Sequence, residues 1–391
     1  MELDILKVMS LLIVFVSLVL AAFLLTVKSE NRVSNYLLAA FLIVSAIDSD
    51  SNFLGPYVYT NIPGLGMFLS SLVFLKLPFL FLYILSITKS GFSLKRKHLF
   101  HAIPFIIIFL VFVPRFYLVS FEDKITYLEA NTLSDRLPEV QISYILVHLQ
   151  ILVYFVLIFK SILRYKTILL ENYSNASLFN YNWLFQMAGI FALETALATL
   201  KNLFMFFGSE DAYFYSMLIT MSVALFYTIW LVMRALRYPE LFRGVEPDLE
   251  LVSQLLIKDQ KAQVLFLQKN SNDDEINKQI IALDKLMKEK EPFLDPSLSI
   301  YELAKMTELS TKELSVLINH HLNLHFFDYV NRFRIEKAME ILRDPTNNKL
   351  TVLEILYDVG FNSKSSFNTA FKKHTHQTPT EYRKMHLTSA A

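Results

Sequence analysis

The stretch Gly360–Lys384, GFNSKSSFNTAFKKHTHQTPTEYRK, carries the most specific pattern in the chain. With Ser363 to His374 helical, Phe367, Ala370, Phe371 and His374 recur at i, i+3, i+4 and i+7 and make an inner face. The opposite arc carries Ser365, Asn368, Thr369 and Lys372, with Lys364 and Lys373 on its flanks. Small hydrogen-bonding groups ringed by lysines suit base edges and phosphates better than a core. Upstream, Val352, Ile355, Leu356 and Val359 are helically spaced, and Gly360 stands where a helix C-cap wants positive φ. Downstream, Thr378-Pro379 stops the second helix and starts another, since proline fits a first turn and not a helix interior. The pattern is helix, tight turn, helix.

A similar pair lies nearer the middle of the chain. Behind Ser310 as N-cap, a helix from Thr311 to His321 turns Leu314, Leu317, Ile318 and His321 inward. Lys312, Ser315, Val316 and Asn319 are then expected outward. Any amphipathic surface helix gives this pattern, so by itself it is weak. Between the two pairs, Phe326 to Leu342 predicts a connecting helix about 25 Å long, suited to holding two readout helices about one DNA turn, roughly 34 Å, apart. Arg332, Arg334 and Arg343 on it are phosphate candidates or, equally, solvated or ion-paired surface positions.

From about Phe293 to Lys384 the chain resembles the AraC/XylS-type DNA-binding domain, two helix-turn-helix units joined by a long helix. The matching residues are Leu298-Ser299-Ile300-Tyr301-Glu302-Leu303-Ala304, the helix after Ser310, Phe326 to Ile335, and Gly360-Phe361, Phe367, Phe371-Lys372-Lys373 and Thr378-Pro379 with Tyr382-Arg383. Departures are Leu356 where the family has alanine, Asn323 and His376 where it has glycines, and Val316 where many members carry a base-reading arginine. The resemblance implies binding of double-stranded DNA through Thr311, Lys312, Ser315, Val316 and Asn319 in one unit. In the other it implies Lys364, Ser365, Asn368, Thr369, Lys372 and Lys373.

Ahead of this region the composition changes character. The whole chain is 54% hydrophobic with 34 Phe and 19 Tyr, and seven stretches before about residue 240 are apolar over roughly the 20 residues needed to span a bilayer. They lie near Leu6–Val27, Asn35–Leu54, Leu65–Ile87, Leu99–Val119, Ile142–Leu163, Trp183–Phe207 and Tyr213–Met233. Glu2 and Asp4 and the length of the first run argue for an anchor rather than a signal peptide. Lys28, Arg32, Lys89, Lys95, Arg96, Lys97, Arg164, Lys166, Arg234, Arg237 and Arg243 fall in one set of loops; the other set holds only Lys124 and Arg136, with Arg115 near a helix end. The basic set is expected in the cytoplasm, which puts the N-terminus outside and the C-terminal domain inside a cytoplasmic membrane.

The expected fold class is therefore all-α: a seven-helix transmembrane sensor over 1–240, a helical linker over 241–292, and a cytoplasmic double helix-turn-helix domain over 293–391. In the linker, Ile276, Ile280, Leu283 and Met287 have the seam spacing of a coiled coil, which fits a homodimer through 276–287 or a helix packed on its own domain. Asn270 to Asp273 predicts a turn, and Ser120 to Pro138 a long outer loop.

With no cysteine, disulfide and thiolate chemistry are excluded. No phosphate loop, zinc-protease motif or nucleophile motif is present, so no enzyme, cofactor or metal is expected; His320, His321 and His325 read as surface residues. A net charge of +1 neither supports nor opposes nucleic acid. Charges inside spans are costly and face bundle interiors or cavities, which singles out Lys76, Glu194 and Lys201, the last two on one helical face, as an ion pair or a signal site. The expected partners are DNA, membrane lipid, a second copy, and a signal that is a small molecule, lipid or protein. The rival class is a membrane receptor or scaffold whose C-terminal helices bind a protein.

Overall fold

A helix satisfies its own backbone polar groups, so long apolar runs fold as helices wherever water is scarce. A computed structural model of the chain describes residues 4–27, 32–50, 53–89, 92–130, 137–174, 178–207, 209–237 and 273–388. Among them every regular element is helical. The chain divides into two units, 1–163 with 180–248, and 164–179 with 249–391.

The first unit holds α1 (Ile5–Thr26), α2 (Arg32–Ser49), α3 (Gly55–Asn61), α4 (Pro63–Ser71), α5 (Val73–Thr88), α6 (Ile103–Phe112), α7 (Phe121–Ala130), most of α8 (Pro138–Asn172) and α9 (Leu178–Phe207), and α10 (Glu210–Arg237). Seven helical stretches among the described residues are long and apolar enough to cross a membrane, and they overlap the seven expected from sequence. Pro78 lies inside α5 and has no N–H to donate to the carbonyl of Phe74, four residues back. The side-chain amide of Gln150, from α8, donates to that carbonyl at 2.7 Å instead. The expected outer loop 120–138 instead contains α7: the Ser120 hydroxyl accepts from the Asp123 amide at 3.2 Å, and Tyr127 packs edge-on against buried Phe116.

The second unit holds α11 (Asp273–Lys290), α12 (Ile300–Lys305), α13 (Thr311–Val316), α14 (Phe326–Arg343), α15 (Val352–Asp358), α16 (Lys364–Thr375) and α17 (Pro379–Thr388). Four helices begin with a Ser/Thr-x-x-Glu capping box, in which hydroxyl and carboxylate satisfy orphan amides reciprocally. The pairs are Ser299 with Glu302, Ser310 with Glu313, Thr351 with Glu354 and Thr378 with Glu381. α14 is shared between two cores. One gathers Leu303, Leu314, Ile318, Phe326 and Tyr329; the other gathers Ile335, Ile355, Phe361, Phe367 and Phe371.

α11 belongs to the first of these cores. Ile276, Leu283 and Met287 are buried there and Ile280 is packed beside them. Of the two readings of 276–287, a dimer seam or a helix packed on its own domain, the second is the one found: the apolar stripe is taken up by its own domain, which leaves no seam for a second copy. The expected turn at Asn270 to Asn272 lies outside the described residues. One further difference from the sequence boundaries is that residues 164–179, which include the last turns of α8, fold with the C-terminal unit.

Candidate nucleic-acid interface

α16 has the two faces that its periodicity predicts. Ser363 caps it, accepting from the Ser366 amide at 3.2 Å. Phe367 and Phe371 are fully buried, with ring centroids 5.6 Å apart, and Phe371 meets Tyr382 of α17 at 5.4 Å. Lys364, Ser365, Thr369, Lys372 and Lys373 are exposed on the other side and Asn368 is half-buried. Lys373 is held by Asp328 of α14 at 2.7 Å. His374, expected inward, is exposed. His376 takes the left-handed C-cap position at φ 61° and Asn323 sits at φ 51°, so both non-glycine departures occupy the conformation that glycine would.

α13 departs from expectation. Ser315 and Val316 are 2% and 5% exposed, so their predicted outward placement is corrected. Leu314 to Ile318 form five consecutive buried residues, more than one full turn, whereas a helical wheel assumes one buried face and one open one. Beyond Val316 the chain enters a π turn over Leu317–His321, where 3.6-residue periodicity no longer applies; His321, expected inward, is exposed. Asn319 turns its amide back to the Ser315 carbonyl at 2.9 Å and hydroxyl at 3.2 Å. Thr311 and Lys312, in the first turn, remain half-buried.

The arginines of α14 are engaged within the domain. Arg332 lies 3.3 Å from Asp284 and over the ring of Phe333 at 4.8 Å, and Arg343 lies over Tyr382 at 5.3 Å. Arg334 is fully buried, which rules out the phosphate role given to it from sequence in this conformation. Its Nε donates to the Phe293 carbonyl at 2.6 Å, Nη2 to the Asp295 carbonyl at 2.7 Å and the Ser174 hydroxyl at 3.1 Å, and Nη1 to the Ser174 carbonyl at 3.2 Å. Burial pulls its pKa down to about 10, against the opposing pull of Asp295. A signal for its position was present: Val330 and Ala338, four residues to either side, mark the inner stripe of α14.

Ser174, two residues beyond α8, is doubly tied to the same place. Its amide and hydroxyl both donate to the Leu298 carbonyl, at 3.2 and 2.6 Å, and Tyr173 forms an isolated antiparallel bridge with Ser299. Gly360 completes the joint at φ 89°: a Cβ there would lie 2.5 Å from the Phe293 carbonyl oxygen and 3.0 Å from Arg334 Nε. The turn of the second helix-turn-helix, the segment ahead of the first, and the residues at the end of α8 thus meet at one guanidinium. Periodicity had given no hint of Ser174.

In the seven-helix unit, Lys76 lies 3.0 Å from Asp48 and 3.9 Å from Glu194. Asp48, near the end of α2, is a partner that sequence reading did not single out. Lys201 has no carboxylate within ion-pair distance among the described residues.

Residues 303–385 match the model of a helix-turn-helix domain family. Over 88 residues, 22% of the chain, the sequence is 35% identical to the uncharacterized HTH-type transcriptional regulator YdeC of Bacillus subtilis, covering 29% of that protein. It is 31% identical over 88 residues to the Msm operon regulatory protein of Streptococcus mutans, covering 31% of it. An uncharacterized HTH-type regulator of Staphylococcus aureus is 37% identical over 86 residues, 11% of its length. The chain thus spans less than a third of the curated relatives it matches, and no solved structure matches it significantly. Capping, core and comparisons agree that the C-terminal end of this chain is an AraC-type helix-turn-helix domain, of the kind found in DNA-binding transcriptional regulators.

Proposed function

We propose that this protein is a membrane-embedded transcription regulator, in which the state of a seven-span bundle governs sequence-specific DNA binding by the C-terminal domain. The observation that carries the coupling is the Arg334 joint: Ser174, two residues beyond α8, is hydrogen-bonded into the middle of the domain, between its two helix-turn-helix units. A shift in the fifth span would reach that joint directly, without passing along residues 238–272. The lysines and small polar groups of α16 read DNA, Thr369, Ser365 and Asn368 at base edges and Lys364, Lys372 and Lys373 at phosphates. Thr311, Lys312 and Asn319 serve the first unit; Ser315 and Val316 join them only if α13 is uncovered.

The basic loops lie in the cytoplasm in this reading, and the N-terminus outside. Reporter fusions after Lys97, Arg164 and Arg243 then report cytoplasm, and fusions near Gly64, Asn131 and Ser209 report the outside. The functional test is genome-wide crosslinking of the intact protein, with mobility shifts of the full chain in lipid nanodiscs. Enrichment of a common sequence in both is expected. Recovery of a stable protein partner with no enriched DNA would return the scaffold reading.

A further inference from the structure

The seven-helix unit contains a cavity of about 810 Å³, within the size range of small-molecule sites and far larger than one ion requires. Its lining includes the C-terminal ends of α2, α6 and α9 and the N-terminal ends of α5, α8 and α10. These ends therefore gather at one end of the bundle. The basic positions around residues 28–32 and 89–97 flank the opposite ends of α2 and α5, and those around 164–166 and 234–237 lie in the opposite, C-terminal parts of α8 and α10. In the orientation proposed above, on which this point rests, the cavity belongs to the outward half.

Four charges line this cavity: Asp48, Lys76, Glu194 and Lys201. Their pairing is uneven. Lys76 is closed on Asp48 at 3.0 Å, while Glu194 reaches it only at 3.9 Å. Lys201, also on the lining, has no hydrogen-bond or ion-pair partner among the described residues. Glu194 and Lys201 stand seven residues apart on one face of α9, about 10 Å along its axis, with small Ala198 between them, itself on the lining. An anion alone would satisfy Lys201 and leave the loosely held Glu194 facing added negative charge. A cation alone would do the reverse. A molecule with both charges completes each and keeps the site neutral, the condition a desolvated site favours. Phe74, Ile108, Phe112, Phe191 and Met221 supply an apolar wall for the rest of it.

The geometry points to a binding site for a small zwitterion with an apolar body, its anionic group on Lys201 and its ammonium on Glu194. Short peptides carry this chemistry, and so does a phosphatidylethanolamine headgroup. Occupancy bridges two turns of α9 and meets Phe74, whose carbonyl Gln150 of α8 holds at the break in α5, and Tyr144, Val147 and Ile151 of α8 itself, so the ligand acts on the helix that leads to Ser174.

The test measures thermal unfolding of the full chain in phosphatidylglycerol nanodiscs without DNA, so that its outcome is independent of whether DNA is bound. A mixture of di- and tripeptides is added as such, N-acetylated, or C-amidated. The unmodified mixture is expected to raise the unfolding midpoint, and each modified mixture, lacking one charge, to lose the effect. Lys201→Met and Glu194→Gln should each weaken the response about tenfold or more, and Lys201→Arg should keep it. A rise on replacing phosphatidylglycerol by phosphatidylethanolamine, lost in Lys201→Met, identifies the headgroup as the source of the same chemistry. Equal potency of the N-acetylated or C-amidated mixture, an unaltered response in both variants, or no response to either peptide or phosphatidylethanolamine overturns the proposal.

Discussion

The two helix-turn-helix units of the C-terminal domain are built from the same parts and are held in different ways. The second is self-contained: α15, α16, α17 and the end of α14 close one core, and α16 keeps a clean outer face. The first borrows. Its core needs α11 from the preceding segment, the backbone leading into α12 is bonded to Ser174 beyond the end of α8, and its readout helix is only six residues long before a π turn. The unit with borrowed parts is the one whose readout helix is enclosed. In this domain the reading surface of the second unit is a property of its own sequence, while that of the first depends on elements that reach it from elsewhere. In the function proposed above, this asymmetry would give one constant contact with DNA and one conditional one.

The largest effect that bears on this difference is removal of α11. Loss of Ile276, Leu283 and Met287 from the first core forgoes roughly 5 kcal/mol or more, at about 1.5–3 kcal/mol for each buried side chain. A fragment over 293–391 should therefore lose amide-exchange protection in α12 and α13 while α15 to α17 stay protected, and a fragment over 273–391 should protect both. Uniform protection in the shorter fragment would remove the distinction between a borrowed and a self-contained unit.

Next come the residues of the joint. Gly360→Ala places a Cβ against two carbonyl oxygens at positive φ and should cost roughly 3 kcal/mol. Arg334→Ala strands three backbone carbonyls and the Ser174 hydroxyl and should cost about 3–5 kcal/mol. Ser174→Ala removes only one hydroxyl and is expected to cost about 1 kcal/mol, yet to alter promoter output more than Gly360→Ala does when expression is matched. Identical output from wild type and Ser174→Ala would mean that the end of α8 carries no signal.

Much of this was legible in the sequence, and the gaps have identifiable causes. The seven spanning stretches were readable because each is an apolar run of about the length a bilayer needs, and α16 because it repeats one simple pattern over three turns. Gly360 was readable because left-handed backbone has few tolerant residues, and Asn323 and His376 only because the resembled family has glycines at their positions. The four capping boxes were legible as Ser/Thr-x-x-Glu, although only Ser310 was picked out. α13 was misread because a six-residue helix gives a wheel too little length to reveal enclosure on all sides. Arg334 was misread because composition assigns arginine to a surface, while position, between Val330 and Ala338, assigns it to the core. Ser174 and Asp48 were beyond reach, since each is defined by a partner dozens of residues away.

Substitution of the readout positions sharpens the comparison at a smaller scale. Thr369→Ala and Asn368→Ala should weaken binding to the enriched sequence by about 1–3 kcal/mol and change the unfolding midpoint little, because Thr369 is exposed and Asn368 is only half-buried. Val316→Ala should do the opposite, costing about 1–2 kcal/mol of stability through two lost buried methyl groups. Its base preference should stay as in wild type. A changed base preference with unchanged stability would show that α13 is uncovered when DNA is bound.

The smallest effect separates two lysines that adjoin in sequence. Lys372 is exposed and carries no ion pair among the described residues, whereas Lys373 is held at 2.7 Å by Asp328. A phosphate contact releases about one counterion, so Lys372→Ala should reduce the slope of log affinity against log salt by about 0.9 and weaken all sequences alike. Lys373→Ala also removes a positive charge but uncovers the Asp328 carboxylate, so added repulsion partly replaces a lost contact. Because Lys373 is exposed and Asp328 only half-buried, the effect on stability should stay within about 1 kcal/mol. Double replacement of Lys373 and Asp328 by alanine should then recover part of the affinity lost in Lys373→Ala, and the same replacement of Asp328 in the Lys372→Ala background should recover less. Affinities measured by mobility shift across a salt series decide it: equal recovery in both backgrounds would mean that Asp328 acts only through overall charge, and that the contact seen between α14 and α16 does not orient Lys373 on DNA.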